Sequence, residues 1–312
     1  MTTPLVSIAM ATYNGEKFLE EQLASIFNQT HPNLEVVVCD DISTDRTIDI
    51  LQQYALTHNL KYTVNRERLG VVQNFSNAIS MASGDYVALA DQDDVWLPTK
   101  IENSLQKLLL LEKQSSPLTP ALVFTDLQVV DEQLQPLYPS YWEFMKLNPS
   151  NWYLNRILVE NVMTGCTALM NKPLLEIALP IPNQALMHDT WLLLTAASFG
   201  KVSFLQERTV LYRQHPQNVV GARQSSLKNK FQSALSKISR NNFSLLGAEI
   251  EQAAVFYNRY SSKLNYFPEK KNVLKAFISL QKVNFFRRKF LILKFSFFGS
   301  SFKKALNVLA RA

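Results

Sequence analysis

The sequence predicts an α/β protein: a mostly parallel sheet flanked by helices, followed by a helical, basic C-terminal module. Three observations carry that expectation. Strand-like and helix-like apolar patterns alternate from Leu5 to Leu111, and strict alternation marks parallel strands joined by crossover helices. Three carboxylates, in Asp91-Gln92-Asp93-Asp94, stand at the exit of the apolar run Tyr86–Ala90. Charge divides sharply along the chain. Residues 1–221 hold 14 Lys and Arg against 23 Asp and Glu, a net of −9, and residues 222–312 hold 18 against 3, a net of +15. Two domains are therefore expected, an acidic body at 1–221 and a basic arm at 222–312 suited to an anionic partner.

The elements follow in order. Leu5–Met10 reads as a strand. Glu16–Asn28 reads as a helix, with Phe18, Leu19, Leu23, Ile26 and Phe27 on one face. Leu34–Cys39 is a second strand, and Thr44–Thr57 a helix with Ile48, Leu51 and Ala55 inward and Ser43 or Thr44 as its cap. Leu60–Val64 is a third strand, Val71–Ala82 a helix closed by Gly84, and Tyr86–Ala90 a fourth strand. Pro98 suits the first turn of a helix running to Leu111. Gln114–Pro120 is a connector and Ala121–Phe124 a strand ending at Thr125-Asp126. Residues 135–160, rich in Tyr, Trp and Pro, read as irregular and able to shape an acceptor cleft. Thr167–Met170 is a short strand, His188–Ser198 a helix, and Val202–Leu205 and Thr209–Tyr212 two short strands. From Ser225 the pattern is helical and basic.

Composition narrows the class. With 47% apolar residues in 312, the chain can bury a globular core. Two cysteines, Cys39 and Cys166, make no disulfide framework, and Cys39 lies within an apolar run, which fits a reduced, cytoplasmic setting. The first 30 residues lack the parts of a signal peptide, and no run of 18 uncharged apolar residues predicts a membrane span. Basic charge alone is compatible with nucleic acid, but no motif supports it.

Carboxylates crowded at a strand exit repel and resist desolvation, and a divalent cation offsets both. Oxygen ligands suit Mg²⁺ or Mn²⁺, which in turn clamp phosphates. Only 8 glycines are present, with no G-x-G-x-x-G after the first strand and no G-x-x-x-x-G-K-[ST], so a Rossmann dinucleotide site or a P-loop is not expected. Phosphate handling then falls to a cation and side chains. Ala11–Gly15 and Asp40–Asp45 should reach the same sheet edge as Asp91–Asp94, where ligands of open α/β sheets bind. There Asp41 can accept from the N3–H of a uracil or thymine, Tyr13 can stack on the base, and Thr12 can hold base or ribose.

These pieces together resemble the inverting family 2 glycosyltransferases of the GT-A fold. Met10–Gly15 is similar to that family's opening loop. Val38–Asp45 is similar to its second loop, with Ile42 where Gly or Asn is commoner. Gly84-Asp85-Tyr86-Val87 with Asp91–Asp94 resembles its strand and D-x-D element. His188-Asp189-Thr190-Trp191 resembles the later acidic motif that carries the general base. Leu211–His215 with Asn218–Gly221 resembles a motif of rhamnosyltransferase-type members. The likeness spans residues 4–221. It implies Asp189 as catalytic base, and Thr12, Tyr13, Asn14, Asp41, Asn74, Asp91 and Gln92 as nucleotide-sugar contacts. Asp91, Asp93 and His215 are implied as ligands of Mg²⁺ or Mn²⁺, and Gly165, Cys166, His188 and Trp191 as the acceptor side.

The implied reaction is inverting transfer from a nucleoside diphosphate sugar, dTDP-L-rhamnose by preference, to a glycan or lipid-linked saccharide in cell-surface polysaccharide synthesis. The Q-x-x-R-W motif of processive synthases is absent, so one sugar per binding event is expected. The stretch Phe285–Phe295 interleaves cations with bulky apolar groups, as an interfacial helix on anionic lipid does, so a peripheral place at the inner face of the cell membrane is expected. Two other classes remain open: a nucleotidyltransferase, which would release pyrophosphate, and a non-catalytic membrane scaffold, which would bind no nucleotide.

Overall fold

The computed structural model describes residues 3–215 and 246–300. The expected domain boundary at 221 and 222, and the Asn218–Gly221 motif, lie outside those residues. The described chain forms two compact units. The first comprises Met1–Val130, Leu134–Tyr141 and Met163–Arg213; the second takes Asp131–Gln133, Trp142–Val162 and the described residues from Gln214 onward.

The first unit is built on a nine-stranded mixed sheet. Strands β1 (Val6–Thr12), β2 (Leu34–Asp40) and β4 (Tyr86–Ala90) are rich in Val, Ile, Leu and Ala, while β3 (Leu60–Val64), at the sheet edge, is polar and mostly exposed. Apolar runs suit strands covered on both faces, and Ile8, Val36, Val37, Val38, Ala88 and Leu89 are fully buried. Each buried Val, Leu or Ile contributes about 1.5–3 kcal/mol. These four strands are parallel, in the order β3-β2-β1-β4. The order reverses between β1 and β4, and ligands of open α/β sheets bind at such a switch point.

The helices between them are α1 (Leu19–Phe27), α2 (Thr47–Thr57) and α3 (Val71–Ser80). Beyond β4 the sheet is not parallel throughout. A two-residue strand β5 (Val95–Trp96) precedes α4 (Lys100–Gln114), then come β6 (Ala121–Val130) and β7 (Pro136–Tyr138), and later β8 (Leu169–Asn171) and β9 (Lys201–Arg213). Strand β8 pairs antiparallel with β4 and β6, β5 antiparallel with β9, β7 antiparallel with β6, and β6 parallel with β9. Helices α7 (Lys172–Ala178) and α8 (His188–Phe199) pack on one another, and α3 packs on α8.

Several local expectations change. Helix α2 starts at Thr47 rather than Thr44, because the Ser43 hydroxyl donates to Asp40 Oδ2 (2.6 Å) and is not free to cap it. Asp45 Oδ1 takes the Thr47 amide instead (3.0 Å), and Thr47, Ile50 and Leu51 form the buried face. Gly84 does not cap α3; it lies where β4 begins, and a Cβ there would stand 2.7 Å from Leu5 O and 2.7 Å from Ser7 Oγ. Pro98 falls before α4, whose N-cap is Thr99. Strand β6 runs six residues past Phe124. The two strands expected within 202–212 are one, β9, in which exposed Gln206 and Glu207 drop out of register between Leu205↔Thr125 and Arg208↔Asp126. The expected strand at Thr167 begins two residues later, after a 3₁₀ turn at Gly165–Thr167. Residues 135–160 hold β7 and two short helices, α5 (Tyr141–Met145) and α6 (Leu154–Ile157).

In the second unit, α9 (Gly247–Arg259), α10 (Pro268–Ser279) and α11 (Phe285–Phe295) pack in sequence, and α10 also meets α6. Their core is Phe256, Leu264, Leu274, Phe277, Leu280, Ile292 and Phe297, all fully buried. Asn155 Nδ2 donates to Phe295 O (3.0 Å) and the Ser300 amide to Glu160 Oε2 (2.6 Å), tying α6 and the chain after it to the end of α11. No helix among the described residues is long and apolar enough to cross a membrane.

Candidate active site

Three loops meet at the carboxyl ends of β1, β2 and β4. The first is stitched to the second: the Asp41 amide donates to Thr12 O (2.8 Å), Thr12 Oγ1 to Asp40 Oδ2 (2.7 Å), the Asn14 amide to Ser43 Oγ (2.8 Å) and the Thr44 amide to Asn14 Oδ1 (2.9 Å). It is stitched to the third by Gln92, whose Oε1 accepts from the Tyr13 amide (2.9 Å) while Nε2 donates to Tyr13 O (3.1 Å). Buried Asn74, on α3, donates to Cys39 O (2.8 Å) and Thr12 O (3.3 Å) and accepts from Asn65 Nδ2 (2.9 Å). Asn74 and Gln92 thus brace the loops with the amide groups that the sequence reading gave to a nucleotide.

Asp41 is almost fully buried. Its oxygens accept from the amides of Leu69 (2.7 Å) and Gly70 (2.9 Å) and from Asn65 Nδ2 (3.1 Å), and the Arg68 guanidinium lies 3.9 Å away. The carboxylate therefore folds the Asn65–Gly70 turn over the end of β2, and Gly70 takes the left-handed φ of 77° that this turn needs. Tyr13 is exposed, with the Arg68 guanidinium 3.9 Å over its ring. Ile42 holds φ 63°, a conformation a β-branched residue rarely takes.

The acidic loop is the electrostatic centre. Burial, then the Asp93 charge, then the Asp189 charge push Asp91 up to about 7. Burial and the charges of Asp93 and Asp91 likewise push Asp94 well up. Asp94 is fully buried, accepts the Arg213 amide on Oδ1 (3.2 Å), and leaves Oδ2 without a hydrogen-bond partner. Ligand atoms of Asp91, Asp94 and Cys166 lie within 4.8 Å of one another. Burial and the charges of Asp94 and Asp91 push the Cys166 thiol up. Lys100, fully buried with Nζ 4.0 Å over the Trp96 ring, is lowered to about 8 by burial while Cys166 and Asp94 act against that shift.

Asp189 belongs to the first turn of α8, where amide N–H groups and the helix dipole favour a carboxylate. Its Oδ1 accepts from the Thr190 amide (2.5 Å). Gly165 lies against it: a Cβ there would stand 3.0 Å from His188 Nε2 and 3.3 Å from Asp189 Cβ. His188 is buried and stacked on Phe75 (3.8 Å between centroids), and burial pushes its imidazole down to about 3. Trp191 is fully enclosed, its indole N–H donating to Ala178 O (3.0 Å). Of the four residues expected on the acceptor side, Gly165, Cys166, His188 and Trp191 are all buried, so any effect on an acceptor passes through what they support. His215 is buried and falls in the second unit.

The comparisons with known proteins agree in kind. The model of Glycosyl transferase family 2 matches residues 7–175, more than half of the chain. The chain belongs to that family. Among relatives, the dTDP-rhamnosyl transferase RfbG of Shigella flexneri is 31% identical over 229 residues, 68% of this chain and 74% of that one. Among solved structures, residues 1–349 of S. aureus TarS, in complex with UDP-GlcNAc, superimpose with a TM-score of 0.54 at 19% identity, covering 98% of this chain and 90% of that one. The mannosyltransferase PcManGT from Pyrobaculum calidifontis, in complex with GDP-Man and Mn²⁺, gives 0.55 at 19%, covering 95% and 81%. The family 2 chain is thus a glycosyltransferase, and its fold is GT-A-like: a mixed sheet flanked by helices.

Two residues of this transferase's site escaped the sequence reading. Arg213, almost fully buried, donates from Nε to Asp93 O (2.9 Å), pairs with Glu21 and lies 4.6 Å over the Phe18 ring, so it fixes the acidic loop to α1. It stands in the Leu211–His215 motif, whose resemblance points to His215 rather than to the arginine. Lys100 carried no signal, because a lysine in the first turn of an amphipathic helix reads as solvated.

The donor set fits a divalent cation. Clustered carboxylates with raised proton affinity and an orphaned Asp94 oxygen need a positive charge, and hard oxygen ligands suit Mg²⁺ or Mn²⁺.

Proposed function

We propose that this transferase moves one sugar, L-rhamnose from dTDP-L-rhamnose by preference, to a glycan or lipid-linked saccharide acceptor with inversion, in cell-surface polysaccharide synthesis. The observation that carries the catalytic part is that Gly165 lies against Asp189 while its neighbour Cys166 lies with Asp91 and Asp94, which brings the helix α8 carboxylate near the acidic loop after β4. The rhamnosyl preference rests on the name of the Shigella relative and on the His188–Trp191 and Tyr212–Gly221 resemblance.

In this reading Asp189 removes the acceptor hydroxyl proton. The hydroxyl oxygen forms a bond to the anomeric carbon as the bond from that carbon to the diphosphate oxygen breaks. The electron pair leaves on the diphosphate and the proton rests on Asp189. Attack opposite the leaving group inverts the centre. Asp91 and Asp93 would hold a divalent cation, which would supply positive charge for the departing diphosphate; the role of His215 rests on the resemblance alone. Thr12, Tyr13 and Asn14 stand at the expected nucleoside end, with Asp41, Asn74 and Gln92 holding the loops around it. Residues 1–221 carry the donor chemistry, and the basic arm brings the enzyme, as a peripheral protein, to the inner face of the cell membrane.

Asp189→Asn is expected to bind dTDP with Mn²⁺ as the wild type does and to lose transfer by about 10²–10⁴-fold. Transfer at the wild-type rate would overturn the base assignment. In a thermal-shift panel of dTDP, UDP and GDP sugars with Mn²⁺, the dTDP sugar is expected to stabilise most, by about 2.7 kcal/mol at a hundred times its Kd.

A further inference from the structure

Helix α11 has two apolar faces. Leu291 and Ile292 are buried in the core of the second unit. On the other side Phe286, Phe290 and Leu293 recur at i, i+4 and i+7 and so share one face. They are 82%, 50% and 58% exposed, and the adjoining Phe285 is 48% exposed. A helix that has already buried one apolar side gains nothing in water from a second.

Cations border that second face. At 3.6 residues per turn, Arg287 and Lys294 stand along one side and Lys289 along the other. Lys289 Nζ lies 4.1 Å from the centroid of the Phe285 ring, and Arg287 and Lys294 lie 5.6 and 5.7 Å from that of Phe290. After Glu269 the chain has eleven Lys and Arg and no Asp or Glu. An aqueous protein partner would meet an apolar stripe edged by unbalanced positive charge. An anionic bilayer satisfies both at once: acyl chains take the rings and phosphates take the cations.

We infer that the exposed face of α11 docks on an anionic lipid surface, with Phe286, Phe290 and Leu293 entering the acyl boundary and Arg287, Lys289 and Lys294 at headgroup level. The inference deepens the proposed function by naming the surface that would carry the enzyme to a lipid-linked acceptor, and it rests on that reading. Asn284 caps the helix through its side chain, accepting from the Arg287 amide (3.0 Å), and Ser296 closes it at φ 54°. The docking face is therefore already formed in the folded chain.

The test is co-sedimentation of the full chain with vesicles of phosphatidylcholine alone, or of equal parts phosphatidylcholine and phosphatidylglycerol. Wild type is expected to bind the anionic vesicles and not the neutral ones. Phe286→Ser with Leu293→Ser, and separately Lys289→Glu with Lys294→Glu, are expected to weaken binding about tenfold or more. Circular dichroism and dTDP binding should be unchanged, which separates lost docking from lost folding. No binding to anionic vesicles, equal binding to both kinds, or unaltered binding by both variants would overturn the inference. So would sedimentation velocity showing that this face joins two copies of the chain. Asp189→Asn is expected to bind vesicles as wild type does. Transfer to a soluble acceptor without vesicle binding sinks only the docking face, whereas vesicle binding without any sugar transfer sinks only the proposed function.

Discussion

Ile42 turns the second loop at φ 63°, where a branched Cβ crowds the backbone. Ile42→Gly is expected to stabilise the fold by about 1 kcal/mol, read as a higher urea midpoint at unchanged slope. Arg213 has the opposite sign. Its removal strips Asp93 O and Glu21 of a donor, and Arg213→Met should cost about 1.5–3 kcal/mol by urea denaturation. His188 adds stability as pH rises through the acid range, against the raised carboxyls of Asp91 and Asp94, whose contribution has the opposite sign. Burial holds its folded pKa near 3, well below the ordinary 6.5, so the unfolded chain takes up a proton in a window where the native state does not. Its contribution is fully present above about pH 6.5 and is lost as pH falls toward 3, by up to about 1.4 kcal/mol per pH unit. His188→Gln should flatten that slope in melting scans between pH 6.5 and 4. The roles of Arg213 and His188 are not properties of the residue type. Both come from neighbours far away in sequence, which is why only the motif membership of Arg213 and His188 was legible beforehand.

At the scale of elements, strands and their exit loops were readable because burial on both faces leaves an unbroken apolar run. Val36–Val38 and Tyr86–Ala90 are such runs, and polar loops follow directly on both. Boundaries set by tertiary contact were not readable. Gly84 looks like a helix stop in sequence, yet its reason is the approach of Leu5 and Ser7 across the start of β1 and β4. Gly84→Ala is expected to cost about 1–3 kcal/mol through overpacking, measured by thermal or urea unfolding. The interrupted pattern around Gln206 and Glu207 read as a gap between strands, because a bulge that expels two polar residues leaves the same trace as a turn. The acidic loop gives a further expectation. Chelated protein should gain melting temperature on addition of Mn²⁺ and dTDP, and Asp93→Asn should remove most of that gain.

Over the whole molecule, the governing feature is the division of charge between residues 1–221 and 222–312. Attraction of the basic arm to an anionic surface should fade as salt shortens the Debye length from about 10 Å at 0.1 M toward 3 Å at 1 M. Binding of dTDP at the proposed donor site should change less over the same range, and parallel titrations would read both. By itself the sequence determined the alternation of elements, the acidic exit of the fourth strand, the charge division and the family, because these are local patterns carried by neighbouring residues. Tertiary structure alone decided that Asn74, Gln92 and Asp41 brace loops, that Cys166 lies beside Asp91 and Asp94, and that Gly165 lies against Asp189. Those facts depend on which distant side chains share a buried, weakly screened space, and spacing along a chain does not encode that distance.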